Sequence, residues 1–388
     1  MSERRRSLGY SQEHLAERVG VALSTVQRWE SGESNPQPWQ RPKLARALDV
    51  TATQLSALLG PSPACWTESG TETVDDETAA WELARRVNAS DVGGETLTHL
   101  ERAFDELATA YPVTPPQVLL RRVRKHTAYV AQLLDKRATL AERRRLVTVG
   151  GWLSLLGATV HVDLDQQDAA TARLRTAATL AREAGHREIE AWCYETDAWR
   201  VLTAGDYTGA LDLSRAAQSL APAGSSALVQ AAAQEGRALA RLGEARETYA
   251  AVDRVQQMAA AMGLSERPKE HHYQYDPAKA LAYTATTLAW LGDRGAEPYA
   301  REVIARLSPS DDVQKWPRRV ASANIDLALV LLAGGRLDEA CDAARLAMFS
   351  GRIVPSNHWR AREVVNAAES RKLPGASDLR EAYEGMTA

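Results

Sequence analysis

His271 and His272 stand side by side in PKEHHYQYD, and histidine is the commonest metal-ligating side chain. Adjacent residues on a helix point about 100° apart. No HExxH and no distant Cys partner accompanies the pair, so a loop between helices is the expected home and no metal is expected. Cys65, Cys193 and Cys341 lie far apart without a CxxC pair, which reads as free thiols in a reducing cytoplasm. GxxxxGK, GxGxxG and GxSxG are all absent. Asn88-Ala89-Ser90 matches a glycosylation sequon, which means nothing without a secretory signal. The chain is therefore not expected to be an enzyme or to carry a cofactor.

The elements that could position binding residues are helical. Among 388 residues, Ala, Leu, Arg and Glu dominate, with apolar positions recurring at three and four. Two phenylalanines and few β-branched runs argue against sheets, so the expected class is all-α. With 45% hydrophobic and 25% charged residues, disorder over most of the chain is excluded. Neither a membrane span nor a secretory signal is expected, which points to the cytoplasm. The length suggests two or three domains. GPSPACWTESGTETVDDETA breaks the helical pattern, so residues 61–79 are read as a linker between domains at 1–60 and 80–388. Trp66 reads as a partly exposed linker aromatic. The net charge of −3 divides into +2 over residues 1–60 and −5 beyond, too mild a split to argue for nucleic acid by itself.

SQEHLAERVGVALSTVQRWESG is the most specific segment. Ser11 is a good N-cap for a helix with Leu15, Ala16 and Val19 on one face. Gly20 permits a tight turn, and Ala16 is small enough for two helices to cross there. Val26 and Trp29 face inward on the next helix, which Gly32 ends. With RPKLARALDVTATQLSALL behind it, this segment resembles the phage-repressor-like, or XRE, helix-turn-helix family over residues 4–60.

The resemblance implies a five-helix DNA-binding domain with a third helix, Leu23 to Ser31, in the major groove of a double-stranded operator. Its outward side chains are Leu23, Ser24, Thr25, Gln27 and Arg28. The Arg28 fork matches the O6 and N7 acceptors of guanine. Gln12 would bond a phosphate. By family analogy Arg5 would pair with Glu30. The first helix is shorter than usual for the family, and Trp39 is expected to cap the fourth by packing.

Four glycines follow apolar helices: Gly205, Gly243, Gly292 and Gly335, at spacings of 38, 49 and 43. They mark a degenerate repeat of helix pairs, which resembles the tetratricopeptide repeat, best in LAGGRLDEACDAARLAM. A poorer unit would turn near Asp165. Helices within 95–145 would cap or extend the array, and Arg143, Arg144 and Arg145 read as a solvated face.

Such an array curls into a superhelix whose concave wall is lined by the first helix of each pair. Counting back thirteen, ten, six, three and two residues from the glycines gives an inward stripe. It holds Trp192, Glu195, Trp199, Gln230, Arg237, Arg241, Lys279, Thr286 and Trp290, and the poorer unit adds Trp152 and Thr159. Aromatic walls with a few convergent polar groups are typical of ligand sites. Two arginines with one acid nearby call for an anionic ligand group. The expected function is a DNA-binding transcriptional regulator controlled by a peptide or small molecule, acting as a homodimer. This arrangement resembles peptide-sensing quorum regulators of Gram-positive bacteria, and actinobacterial regulators with a divergent repeat domain. The alternative is a DNA-anchored scaffold whose groove docks a partner protein.

Overall fold

The computed structural model describes residues 1–37, 39–59, 83, 87–262, 271–275, 277–308 and 317–387. The chain divides into two compact units, Met1–Ala84 and Arg85–Ala388. The expected linker at 61–79, with Cys65 and Trp66, lies outside the described residues.

The first unit holds five short helices: α1 (Ser2–Ser7), α2 (Gln12–Val19), α3 (Leu23–Ser31), α4 (Arg41–Ala47) and α5 (Ala52–Leu58). The Ser11 hydroxyl accepts from the His14 amide at 3.1 Å and starts α2. Gly20, at φ 77°, turns the chain into α3 in a conformation that a side chain would strain. Leu15, Ala16, Val26, Trp29, Leu44 and Leu48 form the buried centre. Trp39 corrects one expectation. The residue is 71% exposed, so it buries little surface against the fourth helix.

The second unit begins with α6 (Gly94–Ala110) and α7 (Pro116–Leu134). Six antiparallel pairs follow: α8 (Leu140–Asp163) with α9 (Gln167–Ala184), α10 (Arg187–Thr203) with α11 (Tyr207–Leu220), and α12 (Ser226–Leu242) with α13 (Ala245–Ala261). The remaining pairs are α14 (Pro277–Leu291) with α15 (Ala296–Leu307), α16 (Pro317–Ala333) with α17 (Leu337–Phe349), and α18 (His358–Ser370) with α19 (Ala376–Thr387). Each pair turns at a left-handed residue: Asp165, Gly205, Gly243, Gly292, Gly335 or Lys372. The structure is all-α among the described residues, and this unit is a tetratricopeptide-like α-solenoid.

The first helices of the pairs are buried on most of their circumference, whereas the second helices keep a polar outer face. Small residues let the pairs approach closely. A Cβ added at Gly236 would lie 3.3 Å from the Ala251 Cβ. By length and composition alone, helix α8 is long and apolar enough to cross a membrane. Its most apolar window is 83% buried inside the unit, so neighbouring helices account for its apolarity.

The arginine run at the start of α8 is also more engaged than expected. Arg145 forms a bidentate pair with Glu101 at 2.8 Å, and Arg144 donates to the Ala184 carbonyl.

The array closes on itself. Arg318 of α16 donates to the Asp163 carboxylate of α8 and to the Thr114 carbonyl, each at 2.8 Å. The 3-10 turn Pro355–Asn357 also packs against α8. The first helices line one concave cavity.

Candidate ligand cavity and nucleic-acid interface

On α3, Ser24, Gln27 and Arg28 are exposed, and Leu23 and Thr25 half-buried, while Val26 and Trp29 point into the core. The 3.6-residue period thus leaves one polar face outward. The Arg28 Nε donates back to the Ser24 carbonyl at 3.3 Å, along its own helix. Glu30 binds Arg5 through a fork, Nε to Oε1 at 2.8 Å and Nη2 to Oε2 at 3.1 Å. Gln12 does not extend freely toward solvent. Its amide donates to Glu30 Oε2 at 2.8 Å, which sets the start of α2 against the end of α3.

The cavity in the second unit has a volume of about 200 Å³. Helix α10 contributes Trp192, Glu195 and Trp199, and α12 contributes Gln230 and Arg237. Helix α14 brings Lys279, Tyr283 and Thr286, and α16 brings Arg318, Ser322, Ile325 and Asp326. Thr159 and Asp163 of α8 and Arg360 of α18 complete the ring of first helices. Eight of the eleven stripe residues therefore share one cavity.

Trp152, Arg241 and Trp290 do not line it. Trp152 stacks on Phe104 of α6 at 5.2 Å, because α6 and α7 cover that end of the array. Trp290 lies 5.4 Å from Trp359, and Arg241 pairs with Glu363 at 2.7 Å. Both partners sit on α18, which covers the turn ends of the inner helices, so the stripe leaves the cavity after Trp199, Arg237 and Thr286, six residues before Gly205, Gly243 and Gly292.

Several lining residues carry no signal in that stripe. Tyr111, His272, Arg318 and Arg360 arrive through closure of the array and through loops. The same count from Gly335 reaches Ser322 and Ile325, which do line the cavity. His271 and His272 lie in a loop, as expected, and no metal-binding cluster occurs among the described residues. Burial, reinforced by Lys279, holds His272 neutral, well below its ordinary pKa.

Six cationic side chains line the cavity against three carboxyl groups. Two of those carboxyls are committed: Asp163 to Arg318, and Asp326 to Arg360 and to the Thr286 hydroxyl at 2.7 Å. Lys279 donates to the carbonyls of His271, His272 and Gln274 and so fixes the loop. Glu195 is buried, and its neighbour Gln230 donates to it at 2.9 Å. Burial pushes the Glu195 carboxyl up to about 7, against that hydrogen bond and the fields of Arg237 and Lys279. Arg237 lies 3.8 Å over the Tyr283 ring and 5.4 Å from that of Trp199.

Trp192 Nε1, Gln230 Oε1, Arg237 Nε and Arg360 Nε are buried without a hydrogen-bond partner among the described residues. Such groups are rare in native proteins, at about 1–3 kcal/mol each. All four residues line the cavity, where such polar groups stand beside an apolar aromatic wall.

Residues 1–55 match the helix-turn-helix family. That match supports a DNA-binding transcription regulator. No curated protein matches the chain. Among solved structures, Bacillus thuringiensis PlcR in complex with the peptide PapR7 and DNA is similar at 14% identity and a TM-score of 0.30, over 67% of this chain and 93% of that one.

Proposed function

We propose that the chain is a sequence-specific DNA-binding transcriptional regulator whose activity is controlled by a small molecule or short peptide held in the repeat-domain cavity. The helix-turn-helix match over residues 1–55 supports the first half of this reading. The observation that carries the second half is Arg237, a buried cation in the cavity wall with an unpartnered Nε–H and no carboxylate paired with it among the described residues. An anionic ligand group supplies the missing partner. The small volume, about 200 Å³, favours a small ligand over a docked partner protein.

Domains at 1–60 and 80–388 joined by a linker at 61–79 fit this division of labour, in a cytoplasmic protein. The Ala- and Arg-rich composition is what points to an actinobacterial source. One reading helix per chain favours a homodimer spanning two half-sites about 34 Å apart. Light scattering on the full chain, free and on DNA, should give a dimer in at least one state.

The decisive experiment starts from selection of an operator from random DNA. Native mass spectrometry then identifies small molecules that leave with the purified chain. Operator affinity should change when the released compound is removed and restored. Failure to enrich any sequence, or an affinity indifferent to every compound released, overturns the reading.

A further inference from the structure

Glu195 and Arg237 belong to one connected unit. Gln230 donates to Glu195 at 2.9 Å and to the Tyr283 hydroxyl at 3.0 Å, and the Tyr283 ring lies under the Arg237 guanidinium. Gln234 takes Arg237 Nη1 at 2.9 Å. The side-on edge, Nε with Nη2, is left for an acceptor, and a carboxylate matches such a fork with two parallel bonds. Trp192, Trp199 and Ile325 offer apolar surface beside it. A volume of about 200 Å³ is below the roughly 300–1,000 Å³ of sites for drug-sized ligands.

We propose that the cavity takes a small monocarboxylic acid with an aromatic or similarly apolar body, its carboxylate on the side-on edge of Arg237, and that Glu195 gains a proton as it binds. This deepens the regulatory reading above and rests on it for the biological role. The ligand carboxylate repels the Glu195 carboxylate and takes over the field of Arg237 that partly stabilises it. The groups acting on Glu195 are Gln230 and Arg237 from α12, Lys279 from α14, Thr196 on its own helix, and Tyr273 from the loop; Tyr283 stands behind Gln230, and His272 beside Tyr273. Burial holds Tyr273 protonated and His272 neutral, which leaves Glu195 to titrate near neutrality.

Benzoate, phenylacetate and 3-phenylpropanoate, each beside its primary amide, are titrated into the full chain by calorimetry at pH 7 in two buffers of different ionisation enthalpy. At least one acid should bind at least tenfold more tightly than its amide, with net proton uptake, because burial raises the Glu195 carboxyl to about 7. Affinity should fall by up to tenfold per pH unit above Glu195's titration. Glu195→Gln should keep binding and lose the proton uptake. Arg237→Met should lose binding, and Arg237→Lys, which keeps charge without the fork, should weaken it if the first variant fails to fold. No binding by any of the three acids at millimolar concentration, equal binding of acid and amide, or no proton uptake overturns the inference. If an acid binds as stated but leaves operator affinity unmoved, the regulatory reading falls and this one stands. If peptides alone bind and shift operator affinity, the reverse holds.

Discussion

Arg318 and Asp163, 155 positions apart, meet at 2.8 Å where the fifth helix pair returns to the first. The Asp163 side chain is 5% exposed. Burial pushes its carboxyl up, against the field of Arg318 and hydrogen bonds from Tyr111 and Arg318. The Arg318 guanidinium also lies 4.8 Å over the Tyr111 ring, so one arginine ties α8, α16 and the turn after α6 together. That closure turns a repeat surface into a cavity.

Removing one partner of a buried pair leaves the other charge uncompensated. Arg318→Met should therefore lower unfolding free energy by about 3–5 kcal/mol, read from urea titration of the full chain. A loss below about 1 kcal/mol would show that the ends of the array are held by something else.

The reading helix makes a separable forecast. Arg28→Ala should cost on the order of 1–3 kcal/mol on the selected operator and little on random DNA, because a base contact carries sequence information. Gln12→Ala should weaken both DNAs alike if its second amide N–H donates to a phosphate. Fluorescence anisotropy with both DNAs decides. An equal loss on the two for Arg28→Ala excludes base reading by this residue.

The sequence is legible where local chemistry repeats. Gly205, Gly243, Gly292 and Gly335 all adopt positive φ, so the turn residue marks each pair. Counting back from them works for Trp192, Glu195 and Trp199, because α10 faces the cavity along those three positions. It fails at Trp290 and Arg241, whose partners Trp359 and Glu363 lie on a helix that turns at Lys372 rather than at a glycine. It fails at Trp152 because the capping helices bring Phe104 onto that ring. Asp163 and Arg318 show the remaining limit: their pairing depends on the accumulated curvature of five helix pairs, which no local pattern encodes.

The first unit should lose stability in acid through Glu30. Desolvation pushes its carboxyl up, but hydrogen bonds from Arg5 and Gln12 and the charge of Arg5 more than reverse this and leave it below the usual carboxylate range. A folded-state pKa below the unfolded one contributes stability that is present above the unfolded pKa and lost as pH falls through the folded one. Glu30→Gln should thus be less stable than the parent chain at pH 7. The difference should shrink below about pH 4, near the ordinary glutamate value. Thermal melts of the first unit's transition across that range would show it, and a gap independent of pH would assign the loss to packing instead.

Arg237 and Arg241 stand one helical turn apart on α12, yet their surroundings assign them different work. Arg241 lies among Tyr207, Trp290 and Trp359, 5.2, 5.7 and 5.1 Å from their ring centres, and Glu363 neutralises it at 2.7 Å. Burial works against that charge, and the bonds from Glu363 and Tyr207 outweigh it, holding Arg241 above the usual arginine pKa. It fastens α18 to α12. Arg237 lines the cavity with aromatic faces beside it, a buried Nε–H without an acceptor and no paired carboxylate among the described residues. Arg241→Met should therefore lower the melting temperature of the second unit and leave a stranded Glu363, while any surviving folded protein still responds to ligand. Arg237→Met should leave the melting temperature nearly unchanged without ligand, since the methylene stem can still cover Tyr283, and should abolish the ligand-dependent change in operator affinity. Differential scanning calorimetry beside operator titrations separates the two effects. An Arg237→Met protein that responds fully to the compound released from the parent chain would remove Arg237 from the binding site.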